Sequence, residues 1–215
     1  MLTYRISKYV DLLMRRYPQL EVCKSEIISA YFIMEESYSN GGKLLIAGNG
    51  GSAADAEHIA GELMKRFKAP RPVSIAFASK LAKVDPKRGP AIAKKLERAL
   101  AAVPLVAHEA LTTAYINDVD GLCVFAQQLF GYGKCGDVFL GISTSGNSKN
   151  VINATVVARA LDIKVIGLTG ANGGELAEVA DVAVKVPETE TFMIQELHLP
   201  IYHCWCLMLE DHFFA

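Results

Sequence analysis

The apolar positions along this chain change period several times. Residues 3–40 carry apolar groups at helical spacing and predict two helices separated by the Tyr17-Pro18 break. The second, over 25–39, carries Ile27, Ile28, Tyr31, Phe32 and Met34 and stops at Asn40-Gly41-Gly42. Five short apolar runs follow: KLLIA (43–47), PVSIAFA (72–78), DVFLGIS (137–143), KVIGLTG (164–170) and VAVKVP (182–187). They read as strands buried on both faces. Helix-like stretches lie between and after them, over 52–66, 92–102, 108–115, 124–129, 147–161 and 191–210. This alternation predicts an α/β fold whose parallel sheet is covered by helices on both sides.

A chain of 215 residues fits one large domain better than two small ones. Residues 1–40 form an N-terminal helical arm in this reading. The segment 80–107 looks like an insertion, with Asp85-Pro86 and Gly89-Pro90 punctuating a basic helix, AIAKKLERALAAV. With 22 basic against 23 acidic residues, there is no footprint for nucleic acid or a membrane surface. The N-terminus has no signal-peptide core, and no apolar run is long enough to span a bilayer. The five cysteines are scattered, which suits reduced thiols in a cytoplasmic protein. The expected partner is a small molecule.

In a parallel α/β sheet, ligands bind beyond the carboxyl ends of the strands near the point where strand order reverses. Two loops of small residues fall at such places. Gly48-Asn49-Gly50-Gly51-Ser52 follows the first strand, and Ser143-Thr144-Ser145-Gly146-Asn147-Ser148 follows the third. Each leads into a helix whose N-terminal amides favour an anion. Gly48-x-Gly50-x-x-Ala53 matches a dinucleotide fingerprint, but no acidic residue lies between Leu63 and Val84 to take ribose hydroxyls, and no Walker motif is present. The second loop offers four hydroxyls in six residues, enough to wrap a phosphate without lysine.

His58 and Glu62 are four apart on the helix behind the first loop and share a face, as metal ligands, a proton-sharing pair or a plain surface contact. Near the C-terminus, Gln195 and His203 are eight apart on one helical run, about 12 Å and 80° from each other on a straight helix. For both to serve one site, Pro200 must bend the helix, two subunits must contribute, or the ligand must be long. His198 reads as a packing histidine, and Cys204 and Cys206 as core fillers.

GGKLLIAGNGGSAADAEHIAGELMKRF, NDVDG (117–121), GDVFLGISTSGNSKNVI and QELHLPIYH together resemble the bacterial phosphoheptose isomerases of the sugar-isomerase (SIS) superfamily. The resemblance implies a three-layer αβα sandwich with a five-stranded parallel sheet of flavodoxin-like order. It implies a homotetramer with active sites between subunits, and conversion of sedoheptulose 7-phosphate to D-glycero-D-manno-heptose 7-phosphate for cell-surface glycans such as lipopolysaccharide. Ser143, Thr144, Ser145 and Ser148 would hold the phosphate. Asn49, Gly50, Gly51 and Ser52, with Asn117, Asp118 and Gln195, would bind the rest of the substrate. His58, Glu62, Gln195 and His203 would be zinc ligands or acid/base residues, with Glu62 as base and His203 as proton donor. A non-catalytic SIS module, or an SIS isomerase or lyase for another sugar phosphate, is the alternative. The acid/base set favours catalysis.

Overall fold

The structure is a computed structural model and describes residues 4–215, so the first three residues, including the expected helix start at residue 3, lie outside it. Two N-terminal helices, α1 (Tyr4–Arg16) and α2 (Lys24–Ser39), flank a 3-10 turn at Pro18–Cys23. Strand β1 (Leu44–Ala47) leads into α3 (Gly51–Met64). Helices α4 (Ile75–Val84) and α5 (Gly89–Ala93) precede the edge strand β2 (Ala102–Pro104). The chain continues through α6 (Glu109–Asp118), α7 (Val124–Tyr132), β3 (Val138–Ile142) and α8 (Lys149–Ala160). It closes with β4 (Lys164–Thr169), α9 (Gly174–Val179), β5 (Val182–Lys185) and the long α10 (Thr191–Phe214).

The five strands are all parallel in the order β2-β1-β3-β4-β5, as expected. Alternate strand residues face opposite layers because the side-chain period is two. Leu44, Ile46, Val138, Leu140 and Ile166 pack with side chains of α1, α2, α3 and α10. Leu45, Phe139 and Val165 pack on the other face with α7, α8 and α9. Cys204 and Cys206 are buried in the first layer, as expected, and burial pushes the Cys204 thiol up to about 12.

Two expectations fail between residues 72 and 104. PVSIAFA is not a strand: Ser74 caps α4 by accepting the Phe77 N–H at 3.2 Å, and Ile75 is 87% exposed, so its β-branched composition has no sheet to enter. The helix expected over 92–102 ends at Ala93. Beyond it, Arg98 N–H donates to Arg71 O, Leu100 N–H to Leu63 O, and Leu44 N–H to Ala101 O. Those tertiary bonds draw an alanine-rich, helix-favouring stretch into the sheet edge, where tertiary context overrides propensity. The range 80–107 is therefore not purely an excursion, because it supplies the edge strand.

Beyond α3 the chain is locked down by a buried ion pair. Arg71 is fully buried; its Nε donates to Glu210 Oε1 at 2.9 Å, and its other nitrogens donate to the carbonyls of Leu63 and Glu62. Glu210 also accepts the backbone N–H groups of Phe67, Lys68 and Ala69. This satisfies the last carbonyls of α3 and fixes the loop that leaves it.

Candidate active site

Strands β1 and β3 are neighbours, with Ala47 in register with Gly141, so the loops that follow them share the carboxyl edge of the sheet where strand order reverses. A reciprocal pair ties them together: Asn49 Nδ2 donates to Asn150 Oδ1, and Asn150 Nδ2 to Asn49 Oδ1, both at 2.9 Å. Asn150 was not among the expected residues; its place in the first turn of α8 is a signal only once the two loops are known to be adjacent.

Gly50 caps α3 with φ +56°, a conformation that favours glycine. Ser52 is buried, and its N–H closes a turn onto Asn49 O, so it builds the loop rather than facing outward. In the second loop Gly146 has φ +69° and lies so close to the Gly173 carbonyl that no side chain fits. Ser143 and Ser148 hydroxyls are 2.9 Å apart, and Ser145 Oγ accepts the Asn147 N–H at 3.1 Å. Ser148 also caps α8, its carbonyl accepting from Val151 and Ile152. Thr144 lies between them, half-buried. The expected phosphate hydroxyls are thus gathered at one helix N-terminus.

Helices α3 and α10 are in contact at two levels. At the upper level, a Cβ on Gly51 would come within 2.6 Å of Gln195 Nε2. Seven residues further along α3, His58 Nε2 is 3.5 Å from Glu62 Oε1 and 3.5 Å from His203 Nε2. The helices run in the same direction and in step, and α10 continues through Pro200. Gln195 and His203 therefore lie at two levels of the contact between α3 and α10, and His203 meets His58 and Glu62 within one chain. No second subunit is needed to join these three.

Electrostatics shape the lower level. Burial, then the neighbouring His58, holds His203 below the usual histidine range, with Glu62 opposing. Glu62 Oε2 is 3.2 Å from Lys65 Nζ. Tyr202 and Asp55 also belong here, and neither was expected: Tyr202 OH lies 3.1 Å from His58 Nδ1 and donates to Asp55 Oδ1 at 3.0 Å. Burial raises the Asp55 carboxyl above its ordinary value, opposed by the Tyr202 hydrogen bond and by His58. Asp55 stands three residues before His58 on the same helix face, the only trace of this contact in the sequence.

Asn117 and Asp118 end α6 and hydrogen bond to each other at 2.8 Å. Among the described residues no hydrogen bond joins them to either loop. His198 is fully buried, with Nε2 3.3 Å from Thr169 O, as a packing histidine should be.

The donor types at His58, Glu62 and His203 suit zinc, and the 3.5 Å spacings approach the roughly 3.3 Å separation of ligand atoms around a tetrahedral ion with bonds near 2.0–2.1 Å. The set does not close as it stands. Among the described residues no group of three or more His, Cys, Asp or Glu is arranged to hold a metal ion, and Gln195 sits at the other level against Gly51.

Comparison with known proteins agrees with this architecture. The SIS domain family model matches residues 8–103 and 91–170. A phosphoheptose isomerase of Campylobacter jejuni is 41% identical over 180 residues, covering 84% of this chain and 77% of the relative. One from Aromatoleum aromaticum is 39% identical over 209 residues, covering 95% of this chain and 92% of the relative. The solved structure of the phosphoheptose isomerase from Neisseria gonorrhoeae superimposes with a TM-score of 0.72 at 33% identity, covering 96% of this chain and 97% of that one. With paired loops at the sheet's switch point and a histidine–glutamate cluster behind them, the chain belongs to the phosphoheptose isomerase family of SIS-domain proteins.

Proposed function

We propose that this protein is an aldose–ketose isomerase that converts sedoheptulose 7-phosphate to D-glycero-D-manno-heptose 7-phosphate through an enediol. The observation that carries the reading is the cluster of Glu62, His58 and His203, joined by 3.5 Å contacts behind two loops built for an anion. Isomerisation moves a proton between adjacent carbons, which needs a base at carbon and a proton carrier at oxygen.

Ser143, Thr144, Ser145 and Ser148 hold the phosphate with the N-terminus of α8, and hydroxyls can do this without a cation because the helix end supplies positive potential. Asn49, Gly50, Gly51 and Gln195 line the sugar path along α3. Glu62 takes the proton from carbon. His203, kept neutral by its partly buried position, passes a proton at the oxygen. Asn117 and Asp118 complete the sugar contacts in this reading.

Zinc bound by His58, Glu62, Gln195 and His203 is a further part of the proposal, resting on donor chemistry alone; these side chains would have to close around the ion, since among the described residues no such group is arranged to hold one, and when bound it would supply Lewis-acid stabilisation of enediolate charge. No step above depends on it. Assembly as a cytoplasmic homotetramer serving lipopolysaccharide synthesis is proposed on the same family grounds. Among the described residues no helix is long and apolar enough to cross a membrane.

The test is incubation of the purified protein with sedoheptulose 7-phosphate, with product followed by NMR, before and after chelator treatment and zinc readdition. Turnover supports the assignment, and its loss and recovery with zinc supports the metal. Absence of turnover under every condition, with sugar phosphate still bound, would overturn the catalytic reading.

A further inference from the structure

The even charge balance of the chain conceals a segregation. Residues 65–98 carry 11 of the 22 basic residues and 2 of the 23 acidic ones, a net of +9, and the remainder carries 11 basic and 21 acidic residues, a net of −10. Both acids of the segment are already held, Asp85 by Arg88 at 3.0 Å and Glu97 by Arg66 at 3.1 Å. Arg71 is taken by Glu210 at 2.9 Å. The ammonium groups of Lys94 and Lys95 have no carboxylate partner among the described residues.

This segment folds as a hairpin of α4 and α5 whose feet are stitched together, Pro72 bridging to Glu97 and Arg98 N–H donating to Arg71 O at 2.7 Å. Two clefts meet there. One, of about 510 Å³, is lined by Arg66, Lys94, Lys95 and Glu97, with Arg71 alongside. The other, of about 520 Å³, lies between α4 and α5 against Val73, Ile75, Ala78, Ala82 and Pro90. Pro72, Ala93 and Lys94 belong to both, so the clefts form one groove with a cationic half and an apolar half.

We propose that this groove binds a small amphiphilic phosphate monoester, its phosphate at Lys94 and Lys95 and its aliphatic or aromatic tail between α4 and α5. With Glu97 and Arg71 spent on their own partners, Lys94 and Lys95 leave two uncompensated positive charges, the complement of a phosphate dianion. Lys94 is the only charged residue of the apolar half and Ser79 its only uncharged polar side chain, so that half suits hydrocarbon and not a nucleobase that must satisfy several hydrogen bonds. Each cleft has the size of a small-molecule site. Nucleic acid does not fit, because Phe77 is the only aromatic residue of the hairpin and lines neither cleft, which leaves no stacking platform. A flat bilayer does not fit either: Ile75 and Val84, both exposed, stand nine residues apart on α4 and point about 180° from each other. Neither the two anion loops nor the α3 and α10 cluster lines this groove, so its occupancy is independent of the isomerase reading.

The experiment uses full-length protein carrying ¹³C-methyl isoleucine, with the Ile75 signal assigned by comparison with Ile75→Val. Octyl phosphate, octanoate and octanol are titrated separately below the micellar range, and each Kd is read from the Ile75 shift. Octyl phosphate is expected to bind at least roughly 10-fold more tightly than octanol, the weight of a charge-assisted contact, with octanoate between them. Reversing both exposed lysines, Lys94→Glu with Lys95→Glu, is expected to bring octyl phosphate to the affinity of octanol or below it. Ser145→Ala, which alters the proposed phosphate loop, is expected to leave the Ile75 titration unchanged. An Ile75 signal that no titrant moves, equal affinity for octyl phosphate and octanol, or a lysine reversal without effect would overturn the proposal. So would loss of the Ile75 shift in Ser145→Ala, which would place the ligand at the other loop. Failure of the protein to turn over sedoheptulose 7-phosphate bears on the isomerase reading and leaves this titration to decide the groove.

Discussion

Gly51 and Gln195 occupy the same space that any larger pair would contest: a Cβ on Gly51 would lie 2.6 Å from the Gln195 amide nitrogen and 3.0 Å from its oxygen. The first turn of α3 is thus shaped to admit a side chain from α10. Gly51→Ala does not strain the backbone, and alanine favours a helix by about 1 kcal/mol over glycine. The variant is expected to keep or slightly raise its melting temperature while KM for the sugar phosphate rises roughly 2- to 10-fold, the weight of one displaced hydrogen bond. Steady-state kinetics beside a thermal melt would show it; an unchanged KM would remove Gln195 from the substrate contacts.

Glu62→Gln preserves size and leaves the fold intact, because Arg71 holds the Glu62 backbone carbonyl rather than its side chain. Turnover is expected to fall by roughly 10²- to 10⁴-fold, the range for removal of a general base. Solvent-deuterium exchange into substrate should fall in parallel. Exchange at the parental rate would assign the base elsewhere.

Ser145→Ala removes one hydroxyl from the proposed phosphate loop and the acceptor that holds Asn147 N–H. Sugar phosphate binding is expected to weaken by roughly 10- to 150-fold, corresponding to about 1.5–3 kcal/mol for a hydrogen bond to a charged group. Calorimetric titration with a sugar phosphate and with the unphosphorylated sugar separates this loss from a general one; equal weakening of both would place the phosphate in another pocket.

The buried His198 predicts an acid-sensitive stability. Burial lowers its pKa from 6.5 to about 4, with the Thr169 carbonyl opposing. Between those values the unfolded chain binds a proton that the folded chain refuses, so stability is full above about pH 6.5 and is lost as pH falls toward 4. From pH 7 to 5 this group removes about 2 kcal/mol. Urea melts at the two pH values, compared with His198→Gln, should show that much less acid sensitivity in the variant. Identical losses in both proteins would mean that His198 is not the group responsible.

Four of the five strands were legible because each is a continuous apolar run bounded by glycine or proline, and a strand buried on both faces must look that way. The exception is instructive. Ala102–Pro104 is three residues long and is preceded by helix formers, and only its pairing with β1 and the bonds that Arg98 and Leu100 just before it make to Arg71 and Leu63 make it a strand. PVSIAFA misleads in the opposite sense, through β-branched residues that end up exposed or capped. At the site, the His58 and Glu62 pairing was readable from spacing along one helix. The meeting of His58 with His203 was not, because it depends on α3 and α10 running in step, which no local pattern encodes. Tyr202 and Asp55 escaped for the same reason, and Asn150 because its partner lies 101 residues away.

The Arg71–Glu210 lock makes α10 an organ of the helix that carries His58 and Glu62. The Glu210 carboxylate of α10 governs the arginine that terminates α3 at the carbonyls of Glu62 and Leu63, so the proposed base stands on ground held from a helix 139 residues beyond that arginine. Loosening of the last turns of α10 should be felt first as lost turnover and only afterwards as lost solubility.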